Sequence, residues 1–166
     1  MISVFLIVAA LAQGTNEIEV PVNSPFKLGT SGEGRGSPVL FKGEMSFHAE
    51  YLLEWRIVDD VPEMLILRIF PDAKTLGLLP FAPDAPPTEL NVFGAEEVAK
   101  QLLNTDSAQV LLGGNVLSEF GSANFRVGEL QTAIDCDSRS YTVEILSVEA
   151  PQVVAQTAFI PQRRGC

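Results

Sequence analysis

Histidine and positive charge are the scarcest chemistry in this chain. His48 is the one histidine among 166 residues, which excludes any site built on two imidazoles and leaves a catalytic dyad or triad a single possible base. Eleven Lys plus Arg face twenty-one Asp plus Glu, a formal charge of −10. Approach to a phosphate backbone therefore begins with repulsion, and nucleic acid is not an expected partner. Long apolar runs are missing too. The best candidate, Ile2 to Leu11, falls well short of the roughly 20 residues that a spanning helix needs, so no transmembrane segment is expected. The two cysteines, Cys136 and Cys166, have no second pair or histidine cluster near them that would complete a structural zinc site.

What is present points to one globular domain. Hydrophobic residues make up 46% of the chain and charged residues 19%, a balance that excludes a wholly disordered or fibrous protein. The stretch Ile2 to Leu11 runs into Ala10-Leu11-Ala12, a small-x-small pattern that a signal peptidase accepts, so residues 1–12 read as a signal peptide and the protein as periplasmic or secreted. Met1, Ile2 and Ser3 supply no basic side chain ahead of it, and Val4 to Val8 would also suit a buried strand or helix. Two cysteines are enough to close one bridge in an oxidising compartment. A Cys136–Cys166 disulfide would stabilise the fold by about 3–4 kcal/mol on the chain-entropy model; the alternative is a free buried Cys136 and a frayed Cys166.

Residues 13–38 read as a flexible N-terminal segment, with Gly29, Gly32, Gly34 and Gly36 set among Ser, Thr and single charges. Gly36-Ser37-Pro38 leads into a strand-like run where a phosphate-binding loop would need Gly-Lys-Ser/Thr opening a helix. Residues 39–166 then form a single strand-rich domain. Phe41 to Ala49 alternates with period two, and Leu53, Trp55 and Ile57 repeat the pattern. Asp59-Asp60-Val61-Pro62 breaks it before Met64 to Phe70, which predicts a hairpin. Pro80, Pro83, Pro86 and Pro87 remove backbone donors, so residues 80–87 are expected as an extended surface connection. After Leu90 to Phe93, the spacing of Ala95, Val98, Ala99 and Leu102 predicts a helix over Ala95 to Leu103, stopped by Asn104. Ala108 to Leu112 reads as a strand ended by Gly113-Gly114. Phe125 to Ile134 and Tyr141 to Val148 read as a second hairpin around the loop Asp135 to Ser140. The expected fold is α+β and strand-rich, a small barrel or sandwich-like antiparallel sheet with one short helix. A helix between the third and fourth strands is the order of an OB-fold.

Few residues carry a chemical signal. His48 lies on the polar face of its strand beside Ser46 and Glu50, a geometry that cannot place a serine on the strained turn a hydrolase requires. Asp135 and Asp137 have the spacing to offer two carboxylates to a cation such as calcium, but Ser138, Arg139 and Ser140 follow where further oxygen ligands would stand. The same aspartates would raise the Cys136 thiol pKa and disfavour a nucleophile there. Tyr51, Trp55 and Tyr141, with Phe47, could form an aromatic surface for a ligand; ordinary core positions are the competing assignment. No catalytic residue and no cofactor is called for by any motif. The expectation is an exported, non-catalytic binding or structural protein whose partner is a protein, peptide or saccharide. The alternatives are a small hydrolase or carbohydrate-active enzyme using acidic residues and an OB-like binder of oligonucleotides or oligosaccharides.

Overall fold

Alternation of apolar and polar side chains builds the sheet. The computed structural model describes residues 18–32, 37–58, 61–112, 116–135 and 138–158. In β3 (Met45–Val58) Ala49, Tyr51 and Leu53 are buried while Ser46, His48 and Glu50 face solvent, the period-two pattern of a strand with one wet face. Strand β4 (Val61–Pro71) buries Leu65, Leu67 and Ile69 and forms an antiparallel hairpin with β3 from Val58↔Val61 to Ala49↔Pro71. The two longest strands, β6 (Val116–Asp135) and β7 (Ser138–Ala158), form a second hairpin closed by the pair Asp135↔Ser138.

These hairpins are joined into a ring. Strand β6 pairs with β3 on its other edge, and the three-residue β5 (Leu90–Val92) bridges β4, antiparallel, to β7, parallel. The circuit β6-β3-β4-β5-β7-β6 is a closed five-stranded barrel. Numbered along the chain, its strands run 1-2-3-5-4 around the ring. Helix α2 (Ala95–Leu112) lies between the third and fourth, which is the connectivity of the OB-fold. Strands β1 (Lys27–Ser31) and β2 (Val39–Lys42) extend the sheet from β6. A short helix, α1 (Ala73–Leu76), follows β4; Asp72 caps it by accepting the Thr75 N–H at 2.7 Å, and that bonding holds the Asp72 carboxyl below the usual carboxylate range.

The barrel interior is filled by Tyr51, Leu53, Leu67, Ile69, Leu90, Phe125, Leu130 and Val143, all at most 1% exposed. Tyr51 meets Phe125 edge-on at 6.3 Å between ring centroids. Helix α2 adds Val98, Ala99, Leu102 and Leu103 to the same core. It starts at Gly94, whose carbonyl accepts from Glu97 and Val98 and whose φ of 62° is open to a residue without a Cβ.

Several local expectations differ from the structure. Asn104 does not stop the helix, and Ala108–Leu112 is its final part, not a strand. Asn, Thr, Asp and Ser cost only tenths of a kcal/mol each as helix residues, so four of them in a row do not terminate a helix. Two barrel strands, not three, therefore follow α2. The alternation read from Phe41 to Ala49 spans a break at Gly43-Glu44 between β2 and β3. Within the glycine-rich stretch, β1 is a paired strand, and Phe26 just before it is 1% exposed. The proline-rich connection is not simply a surface strap. Leu79, Pro80, Ala82 and Pro87 are buried, and Phe81 exchanges two backbone hydrogen bonds with Glu19 at 2.8 and 3.0 Å. Proline removes a donor, but it does not keep a segment out of the core.

Candidate functional site

The polar feature best framed by the fold is a hollow of about 250 Å³ between residues 85–91 and the start of β7. Its walls come from two segments that the parallel β5–β7 pairing brings side by side, with Asn91 opposite Thr142. Thr88, Glu89 and Asn91 contribute from one segment and Ser138, Arg139 and Ser140 from the other, with Tyr141 at the back. Hydroxyls, an amide, a carboxylate and a guanidinium thus meet in one place. Arg139 also donates to the buried Thr132 hydroxyl at 3.2 Å, which ties its head to the barrel wall.

Tyr141 fixes the shape of this hollow. Its hydroxyl donates to the Ala85 carbonyl at 2.6 Å and accepts the Ala82 N–H at 2.9 Å, so one phenol pins both ends of the 82–85 turn to β7. Burial pushes the Tyr141 phenol above its ordinary pKa, and the Ala82 N–H and Arg139 partly offset that rise. Beside the hollow, Arg68 on β4 is the register partner of Asn91. Its guanidinium reaches Glu54 at 2.5 Å and Glu89 at 3.6 Å, with all three side chains about one-third exposed. The Arg68 Nε is buried and has no hydrogen-bond partner among the described residues. Such an orphan donor is unusual, because most buried polar atoms are satisfied.

A second polar cluster links the buried core to the exposed end of β7, through Gln156. Glu119 is fully buried on β6 and accepts from the Tyr51 hydroxyl at 2.8 Å and from the Gln156 amide at 2.5 Å. Burial first, then the bond to Glu119 and its charge, hold the Tyr51 proton far above the ordinary phenol range. Gly121, opposite Tyr51 in the ladder, makes room for the ring. A Cβ there would stand 2.6 Å from the Tyr51 hydroxyl oxygen and 2.5 Å from the Gln152 carbonyl oxygen. With Tyr51 enclosed, this cluster acts as an internal fastening between β3, β6 and β7.

The residues singled out from sequence scatter across these features. Tyr51 and Tyr141 are core residues, and only Tyr141 lines the hollow. Trp55 is half-buried against the core, opposite Leu65. His48 is exposed and donates to the Asn124 side-chain oxygen at 3.1 Å. Asp135 ends β6 at the hairpin, while Cys136, Asp137 and Cys166 lie outside the described residues, so the disulfide and the two-aspartate cation site do too. Among the described residues no group of three or more His, Cys, Asp or Glu gathers as a metal site, and no helix is long and apolar enough to cross a membrane. Arg68, Asn91, Thr88 and Glu119 belong to no motif in the sequence, and Arg139 enters there only as a neighbour that would neutralise Asp135 and Asp137. A buried acid on an otherwise apolar strand face, Glu119 between Leu117 and Gly121, is the one signal that alternation alone offers. No family model, curated protein or solved structure matches this chain.

Proposed function

We propose that this protein is an exported, non-catalytic module of OB type whose hollow at residues 85–91 and 138–141 takes a neutral saccharide unit. The observation that carries it is the lining: hydroxyl, amide, carboxylate and guanidinium groups converge on about 250 Å³. That volume is just below the roughly 300–1,000 Å³ typical of pockets for drug-sized ligands, so it suits one sugar ring of a longer chain. The place in the fold supports the same ligand class. Asn91 and Arg68 sit on the second and third barrel strands and Ser138 beside the loop joining the fourth and fifth, the face and loop with which OB-folds bind oligosaccharides and oligonucleotides. A chain of net charge −10 disfavours the polyanionic member of that pair.

Amide-resolved NMR titration with a panel of neutral oligosaccharides, an uncharged peptide and a single-stranded oligonucleotide tests the proposal. Shifts at residues 85–91 and 138–141 with a saccharide, weakened about tenfold by Asn91→Ala, are expected. Shifts confined to another surface, or produced only by the oligonucleotide, would refute it. Export rests on the apolar segment Ile2 to Leu11 and on Cys136 and Cys166, and is tested by intact mass. Loss of residues 1–12 with a Cys136–Cys166 bridge supports it; a full-length chain with two free thiols overturns it.

A further inference from the structure

We infer that the distal half of β7 is an association edge through which two copies of this chain pair, strand to strand and antiparallel about a two-fold axis. The proximal half of β7 has partners on both sides, β6 along one edge and β5 at Thr142 and Val143 on the other. Beyond Val143 only the β6 ladder continues among the described residues, and from 149 to 157 every residue is also exposed, with Val153 at 50% and Val154 at 68%. A strand with one ladder filled presents a row of unused N–H and C=O groups on its other edge.

The charge pattern selects the occupant. From Ala150 to Ala158 no residue is charged, in a chain carrying −10 overall. Recruiting a basic partner would call for acidic residues along this edge. A strip stripped of charge is instead what allows a second, equally acidic copy to approach, since two-fold antiparallel pairing sets the strip against itself. Ala150 holds a φ of 49° where the β6–β7 register shifts, and Pro151 lacks an N–H, so the usable edge starts at Gln152. Six residues from there to Thr157, with Val154 bulged between the pairs Gly121↔Val153 and Phe120↔Ala155, give a seam of at most about 20 Å, and pairing joins the β4-β3-β6-β7 sheets of two copies edge to edge. Two other edges are open among the described residues, and both carry devices that discourage pairing: β1 has only five residues and begins with Lys27, and β4 ahead of Arg68 carries Pro62 and Glu63.

Sedimentation velocity on the full chain up to about 0.5 mM tests this. A monomer–dimer equilibrium is expected. Its dimer fraction should rise with salt to about 0.5 M, because screening removes the repulsion between two acidic bodies while the neutral seam is untouched. Val154→Lys should weaken dimerisation at least about tenfold with unchanged circular dichroism, and Leu28→Lys on β1 should leave it unchanged. In the unmodified chain, amide protection at 152–157 should increase with protein concentration. A monomer at every concentration, a dimer indifferent to Val154→Lys, or protection at 152–157 independent of concentration would overturn the inference.

Discussion

The two halves of β7 share one strand, one partner ladder and one hairpin, yet they belong to different kinds of structure. From Tyr141 to Val148 the strand alternates into the core, with Tyr141 and Val143 buried and Glu144 and Leu146 exposed. From 149 to 157 both faces are wet. Hydrogen bonding to β6 continues through both, so the ladder alone makes a strand but does not make a core. Closure makes the difference: β5 pairs with Thr142 and Val143 and seals the start of the strand into the ring, while the distal half is left as an outer ribbon on the edge of the β3–β6 sheet. The polar hollow lies on the sealed side and the open edge on the other, so the strand separates a proposed binding surface from a proposed association surface.

Four outcomes sharpen that contrast. The largest is alkaline collapse of the sealed half. Tyr51 and Tyr141 are the only two tyrosines, and burial raises both phenols in the folded state. A proton held more tightly in the fold stabilises fully below the unfolded pKa, and that contribution is lost as pH rises above about 10. Tyrosinate absorbance should therefore appear together with loss of circular dichroism, in one step above that pH. Gradual tyrosine ionisation near 10 with the fold intact would contradict the burial of both rings. Next comes Gly121→Val, opposite Val153 in the distal half, where even a Cβ collides with the Tyr51 ring and the Gln152 carbonyl. Destabilisation of about 3 kcal/mol is expected in urea unfolding.

Tyr141→Phe should cost about 2 kcal/mol, because it leaves the Ala85 carbonyl and the buried Ala82 N–H without their shared partner. Thermal melts check the stability loss, and faster amide exchange at residues 82–85 distinguishes loss of this fastening from general loosening. The smallest effect belongs to the ribbon. Val154→Thr keeps a β-branched residue at a site 68% exposed and should change monomer stability by less than about 0.5 kcal/mol. A loss comparable to that of Tyr141→Phe would mean that the distal half packs against something after all.

The barrel was legible where one physical rule dominates. Alternation through Ala49 and Leu53 gives the inward face of β3, and a helix between the third and fourth strands is enough to suggest the OB connectivity. Where rules compete, the sequence misleads. Asn104 to Ser107 resemble a helix stop because their side chains favour caps, but the loss per residue is small beside the continuity of α2 through Leu112. The prolines of 80–87 forbid a ladder, which holds for most of that segment, yet Leu79 and Ala82 are buried. Tyr51 and Tyr141 share a residue type and burial, and only the fold distinguishes the fastening beneath the barrel wall from the one that shapes the hollow. The hollow itself was invisible, since Asn91 and Arg139 meet only through the parallel pairing of two strands about 50 residues apart in sequence.

Native-state amide exchange along β7, recorded at a concentration low enough to keep the chain monomeric, tests the division of the strand most directly. Amides at 141–145 should exchange only through global unfolding, and those at 152–157 through smaller openings, several kcal/mol less costly, even though both sets pair with β6. Uniform protection from Tyr141 to Thr157 would contradict the account, because it would make the ribbon part of the closed barrel.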